Sequence, residues 1–378
     1  MVYLNNAATS WPKAPGVADA VRLSLEQPAA EAGRASRSGD DAVRGCRQRV
    51  AELFDATDPA RIVFTLNATA ALNLAIHGIP LRRGDRVVTS AAEHNSVLRP
   101  IEKLRRERGI KVTLIGLTPD GSLDQDQFQR ALSLGPRLVA LTHASNVTGR
   151  VFDVAPLFEA AKKAGALTLL DASQSLGQIA VRPAALHADL VAFTGHKALL
   201  GPTGTGGLYV APAIELRHLI VGGTGVRSDR LDHPPEMPAR LEAGTPNIAG
   251  LAGLGAALEW LECHGAAHRA VAARLAARLR TELASIAGVE LFDRCGGAER
   301  TGVVSFRIAG WSVEEAGMIL AESFGVICRT GLHCAPLIHR SLGTASEGTL
   351  RFSVSGFNTG EELDVAIAAV RQLALCAR

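Results

Sequence analysis

The chain has 378 residues, 47% hydrophobic and 20% charged, a composition that supports buried cores of two-domain size and excludes a disordered polymer. Forty Lys and Arg against 37 Asp and Glu leave a formal net charge of +3; these charges are scattered, so neither nucleic acid nor a membrane surface is expected as a partner. No uncharged apolar run approaches the roughly 20 residues of a membrane span, and "MVYLNNAATSWPK" lacks the basic-then-apolar pattern of a secretory signal.

The first two thirds alternate apolar runs with amphipathic stretches. "RIVFTL" (61–66) reads as a strand, "NAT" as a turn and "AALNLAIHGI" as a helix. "DRVVTS" (85–90) is a second strand, followed by a helix through "VLRPIEKLRRERG" and then "KVTLIGL". "RLVALTH" (137–143) and "ALTLLDAS" (166–173) are strands flanking the helix "VAPLFEAAKKAG", and "ADLVAFT" (188–194) with "GGLYVAP" (206–212) completes the set. Continuous apolar strands separated by helices predict an α/β fold, with a mostly parallel sheet covered on both faces. In such sheets ligands sit beyond the carboxyl ends of the strands.

Composition shifts after "EAGTPN" (242–247) to an Ala-, Leu- and Arg-rich helical region over about 250–287. Strand "GVVSFRI" (302–308) follows, then helix "SVEEAGMILAESFG", whose Ser312 and Glu315 fit a capping box. A loop, "ICRTGLHCAP", leads to strand "GTLRFSVS" (348–355) and a final helix over 360–374. The expected division is an N-terminal segment (1–14) packing near the small domain, a large domain (15–250), and a smaller C-terminal α+β domain (251–378) carrying the cysteine loop.

Six widely spaced cysteines (Cys46, Cys263, Cys295, Cys328, Cys334 and Cys376) form no CxxC pair, so no metal site is expected. Free thiols in a reducing, cytoplasmic compartment are the default. Cys328 follows "FGVI" and is expected to end an apolar strand and pack there, while Cys334 sits among glycine, proline and basic residues.

Chemistry should gather at the strand ends. In "FTGHKALLGPTGTGG" (193–207), Lys197 is either a surface lysine or an amine whose pKa falls by desolvation, able to form a Schiff base with an aldehyde cofactor. Asp171 in "LLDASQS" either caps a helix or pairs with a protonated pyridine nitrogen. "TLNATAALN" (65–73) offers a helix start and the Thr69 hydroxyl for a phosphate. His94 in "AAEHNSV" is a core histidine or a ring that stacks on another ring. A nucleophilic cysteine needs a cationic, accessible setting, which Arg329 and His333 could give Cys334.

The series "YLNNAATSWPK", "NATAALN", "EHNS", "THASNVTG", "DASQS", "TGHK", "EAGTPN", "RTGLHCAP" and "LRFSVSGFNT" resembles the class V aminotransferase group of pyridoxal-phosphate enzymes over essentially the whole chain, and the cysteine desulfurases in particular. "RTGLHCAP" is similar to the branch of desulfurases and selenocysteine lyases whose cysteine is flanked by Arg-x-Gly-x-His. The resemblance implies fold type I of the pyridoxal-phosphate-dependent transferases, with a seven-stranded sheet. It also implies that Lys197 binds the cofactor aldehyde, Asp171 pairs with the pyridine nitrogen, Gln174 meets the ring hydroxyl and His94 stacks on the ring. Ala68 (through its backbone N–H), Thr69, Thr194 and His196 match phosphate-binding positions. Thr245 matches a residue that reaches the phosphate of the neighbouring subunit, which implies a homodimer. Asn146, Arg329 and Arg351 match substrate-holding positions, and Cys334, with Lys197 and His94, is expected to be catalytic, taking sulfur from L-cysteine as a persulfide for an acceptor protein.

Selenocysteine lyase, an aminotransferase or carbon–sulfur lyase of another substrate, and a silent sulfur carrier are the alternatives. Asn5 departs from the acidic residue usual in the opening motif, and "VGGTGVRS" (221–228) looks like a less-characterised subgroup.

Overall fold

The computed structural model describes residues 1–26, 37–292 and 297–376, so Cys295 lies outside the described residues. The chain opens with β1 (Val2–Tyr3), α1 (Val17–Glu26) and α2 (Arg37–Leu53). The alternating region runs β2 (Ile62–Thr65), α3 (Ala68–Gly78), β3 (Arg86–Ser90), α4 (Asn95–Arg108), β4 (Lys111–Ile115) and α5 (Gln125–Leu132). It continues through β5 (Leu138–Thr142), α6 (Ala155–Lys163), β6 (Leu167–Asp171), β7 (Leu190–Thr194) and β8 (Gly206–Val210). The remainder comprises α7 (Ile248–Ala284), β9 (Val289–Leu291), β10 (Val303–Ile308), α8 (Val313–Phe324), β11 (Val326–Ile327), α9 (Pro336–Ser341), β12 (Leu350–Ser353) and α10 (Gly360–Leu375).

Seven strands form the large sheet in the order β2-β8-β7-β6-β5-β3-β4. All are parallel except β8, which runs antiparallel to both of its neighbours. Glycine lets β8 fit there: a Cβ on Gly207 would lie 2.6 Å from the Phe193 ring and from the Val63 carbonyl. Strands β5 and β7 are buried along their whole length, the burial that continuous apolar runs predict when helices cover both faces. One apolar cluster fills each face of this sheet.

A third cluster packs around the antiparallel sheet β12-β10-β9. Helix α7 serves two cores: Leu251, Leu254 and Leu258 pack with the large sheet, and Leu275, Leu279 and Leu283 with the small one. Its 37 residues span roughly 55 Å. The N-terminal segment crosses to the C-terminal region, where β1 pairs with β11 and Asn5 bridges Ser353. The Ser312–Glu315 capping box forms at α8, and Thr359 with Glu362 makes a second at α10. Cys328 follows β11 and packs against the third cluster, where burial pushes its thiol up to about 12. No helix among the described residues is long and apolar enough to cross a membrane.

Candidate active site

The carboxyl ends of β3, β5, β6 and β7 meet the N-termini of α3 and α4 around a cavity of about 250 Å³. Ala68, Thr69, His94, Asn146, Asp171, Gln174, Thr194, His196, Lys197 and Arg329 all line it. Residues far apart in sequence converge here because a parallel sheet brings every strand end to one edge.

Asp171 is the last residue of β6, and its Oδ1 accepts hydrogen bonds from Ser173 N at 3.0 Å and Ser173 Oγ at 2.5 Å. Lys197 follows β7, and burial lowers its ammonium to about 8 despite the opposing pull of Asp171, with Arg351 and Arg329 adding to the decrease. His94 caps α4, its Nδ1 accepting the Ser96 N–H at 3.0 Å, so the ring proton belongs on Nε2. Burial lowers His94 to about 4; Asp171 opposes this and Lys197 reinforces it. The ring is therefore neutral, which suits stacking in a closed site.

At α3, the Asn67 side chain accepts the Ala70 N–H at 3.0 Å. The first-turn residues Ala68 and Thr69 face the cavity beside His196, whose Nδ1 is buried without a hydrogen-bond partner. Thr194 Oγ1 donates to the Thr205 carbonyl at 3.3 Å, and Gln174 Nε2 to the Ala7 carbonyl at 3.1 Å. An anion-accepting helix start, a carboxylate, an amide and a depressed amine around one space fit the phosphate, ring nitrogen, hydroxyl and aldehyde of pyridoxal phosphate. The orphaned His196 nitrogen is the most telling of these, since a buried polar atom without a partner is costly.

Arg351 lies behind this wall, fully buried. Its Nη1 donates to the Asn146 carbonyl at 2.9 Å and its Nη2 to Asn5 Oδ1 at 3.3 Å, while Nε is unpartnered. Burial lowers its pKa to about 9, and Arg329 lowers it further. A buried guanidinium whose polar contacts are neutral is a ready site for a carboxylate.

The cysteine loop is pinned through its backbone. The Cys334 carbonyl accepts the Asn95 N–H at 2.7 Å, and the His333 carbonyl accepts from Asn146 Nδ2 at 2.7 Å. Gly331 and Thr349 exchange N–H···O bonds at 3.1 Å, an approach so close that a Cβ on Gly348 would lie 2.0 Å from the Gly331 carbonyl. His333 and Cys334 both take left-handed backbone angles, φ 50° and 60°, a conformation seldom held by residues other than glycine. Arg329 Nη2 donates to Cys334 Sγ at 3.2 Å.

One expectation is corrected here. His333 gives the thiol no charge: it is buried, its Nε2 lies 2.9 Å from Thr349 Oγ1, and burial drives its pKa down to about 2. His333 is held inside against Thr349, while Cys334 lines a pocket with α4. Thr245 is exposed and does not line its own chain's cavity.

Two residues at the site escaped the sequence reading. Lys13 Nζ donates to the His196 carbonyl at 3.1 Å, directly before Lys197, and burial lowers its pKa to about 8. Glu93 is fully buried next to His94 and accepts the Thr142 N–H at 3.0 Å, where β5 pairs with Asp171. "SWPK" and "AEHN" held the only signals, a lysine in a proline turn and an acid beside a strand end.

A mostly parallel seven-stranded sheet presenting a lysine, an aspartate and a helix N-terminus to one cavity at its carboxyl edge defines the fold type I class of pyridoxal-phosphate-dependent transferases. Within that class the chain belongs to the aminotransferase class V family, whose model matches residues 2–365. It is 34% identical to a probable cysteine desulfurase of Methanothermobacter thermautotrophicus, over 99% of this chain and 94% of that protein. It is 33% identical to a cysteine desulfurase of Dickeya dadantii, over 89% of this chain and 82% of the other. Among solved structures, the apo cysteine desulfurase of Thermococcus onnurineus superposes with a TM-score of 0.92 at 32% identity, covering 99% of this chain and 95% of that one. A cysteine desulfurase of Escherichia coli gives 0.90 at 30% identity, covering 100% and 95%.

Proposed function

We propose that this chain is a pyridoxal-phosphate-dependent cysteine desulfurase, converting L-cysteine to L-alanine and taking the sulfur as a persulfide on Cys334. The observation that carries the reading is Cys334 Sγ, held 3.2 Å from the Arg329 guanidinium in a pinned loop that lines an adjoining pocket sharing Thr69, His94 and Ser96 with the cavity. The relatives named as desulfurases support it.

In this reading Lys197, Asp171, Gln174, His94 and the Ala68–Thr69 turn hold the cofactor, with Thr194 and His196 beside its phosphate. The bound cofactor supplies an electron sink for negative charge at the substrate Cα. Lys197, neutral in a sizeable fraction near pH 8, is the base that takes the Cα proton. Arg351, with Asn146 and Arg329, holds the substrate carboxylate. The Cys334 sulfur attacks the substrate sulfur. An S–S bond forms and the Cβ–S bond breaks, with its electron pair passing to the Cβ, which is then protonated. In net terms, cysteine and the Cys334 thiol become alanine and a Cys334 persulfide, with no outside oxidant.

A homodimer belongs to the same reading. Thr245 is free of its own cavity, and the nearby segment exposes Ile220, Val221 and Leu231, an apolar group that a second copy would cover. The division into a large domain (15–250) and a small one (251–378) is supported by separate apolar clusters, although α7 is shared between them and Ala335 and Ile338 pack with the large sheet. Free thiols at Cys46, Cys263, Cys328, Cys334 and Cys376 support a cytoplasmic location.

The test is Cys334→Ser. The purified variant should keep the yellow colour of bound cofactor and its borohydride-fixed attachment at Lys197, yet release no sulfide or persulfide sulfur from cysteine. Normal turnover by this variant would remove the thiol from the mechanism.

A further inference from the structure

Beside the cofactor cavity, α3, α4 and the cysteine loop line an open outer chamber of about 400 Å³. Cys334 lines it together with Arg99 and Lys103, both exposed, and no Asp or Glu is among its described lining residues. Arg99 makes no ion pair among the described residues, and Lys103 reaches only Glu107, at 3.9 Å. The two cations stand four residues apart on one face of α4, a like-charge spacing that costs a helix stability. Arg329 adds a third cation at the sulfur, and the positive N-terminal end of α4 abuts the Cys334 carbonyl. The Lys103–Glu107 pair offsets part of that cost within α4, and an anion beside Arg99 and Lys103 would offset the rest.

We propose that this chamber admits the acceptor of the Cys334 sulfur, and that it selects a small thiol bearing carboxylates over neutral or cationic thiols. The inference rests on the reading of Cys334 as a persulfide carrier. The acceptor thiolate attacks the outer sulfur, forming a new S–S bond. The bond between that sulfur and Cys334 Sγ breaks, and its electron pair returns Cys334 to the thiolate. The acceptor leaves as a persulfide, so electrons balance without a co-reactant.

Two measurements on the holoenzyme test it. The first compares alkylation of Cys334 by anionic iodoacetate and neutral iodoacetamide, read by mass spectrometry with the exposed thiols Cys263 and Cys376 as internal references. In the double variant Arg99→Gln/Lys103→Gln the iodoacetate preference at Cys334 should fall about fivefold at low ionic strength, and less in high salt. The reference thiols should not change. The second follows loss of the Cys334 persulfide on adding mercaptosuccinate, mercaptoethanol or cysteamine. Rates should fall in that order and converge in the double variant. An unchanged alkylation ratio, or cysteamine matching mercaptosuccinate, overturns the inference. If no persulfide forms at all, the functional reading fails, and the alkylation ratio alone still decides whether the chamber selects anions.

Discussion

Replacing Glu93 by glutamine removes an ionisable group from a fully buried position between His94 and the strand that pairs with Asp171. Glu93 Oε1 accepts from Ser90 Oγ at 2.5 Å and Thr142 N at 3.0 Å, while Oε2 is buried without a partner. Burial raises its pKa from 4.5 to about 8; the Ser90 and Thr142 bonds oppose this, and Asp171 adds to it. Between those two values the unfolded chain releases the proton and the folded chain keeps it. Stability therefore falls as pH rises, by about 1.4 kcal/mol per pH unit. From pH 5 to pH 8 the loss is about 4 kcal/mol. Glutamine has no proton to lose. It keeps an oxygen for Ser90 and Thr142, but buries two unpaired N–H groups where the neutral acid buries one O–H, at a cost of about 1–3 kcal/mol. Glu93→Gln should thus be less stable than the parent at pH 5 and more stable at pH 8. Urea unfolding of both proteins at intervals across that range reads the crossing directly. A difference that stays constant with pH would refute the neutral buried acid.

Lys197 carries a second pH prediction. With its pKa lowered to about 8, about a quarter of the amine is neutral at pH 7.5. Borohydride-trapped attachment of pyridoxal phosphate to stripped protein should therefore rise through pH 8 and level off, and a climb continuing to pH 10 would contradict it. Arg351→Met should raise the KM for cysteine roughly 100-fold while retaining cofactor absorbance; a KM within threefold of the parent would remove Arg351 from substrate binding. Asn5→Asp puts a carboxylate against Arg351 Nη2, now 3.3 Å from a neutral oxygen. It should raise stability against urea but also raise KM several-fold, because the new carboxylate competes with the substrate's own. An unchanged KM would mean that Arg351 does not meet that group.

The large sheet was legible because continuous apolar runs mark strands buried on both faces, and each expected strand from 61 to 212 forms within a few residues of its reading. The reversal of β8 was not, since apolar content sets burial and says nothing of direction; the glycines that allow it register only once Phe193 and Val63 stand beside them. Short α5 and β9, and the paired β1 and β11, carry too few residues for a period to emerge. At the site, Lys197, Asp171 and His94 could be found because strand ends could be found. Glu93 read as an ordinary polar residue, for its burial depends on β3 and β5 being neighbours. Lys13 contacts a carbonyl 183 positions away, a separation no local pattern encodes. His333 beside Cys334 in sequence says nothing of its burial against Thr349, which depends on the loop meeting the strand that follows it.

The same loop explains how a thiol can be both fixed and free. Its backbone is tied by Asn95 to the Cys334 carbonyl, by Asn146 to the His333 carbonyl and by Thr349 to Gly331. These bonds hold two left-handed residues that would otherwise relax. None of them touches the sulfur, whose hydrogen bond comes from Arg329. Rotation about the Cys334 side chain therefore costs that one contact and disturbs no part of the frame. Asn146 also supplies the carbonyl that Arg351 Nη1 holds, so Arg351 and the cysteine loop share one anchoring residue. Under the proposed function, a substrate carboxylate on Arg351 would thereby be set in register with the loop that carries Cys334.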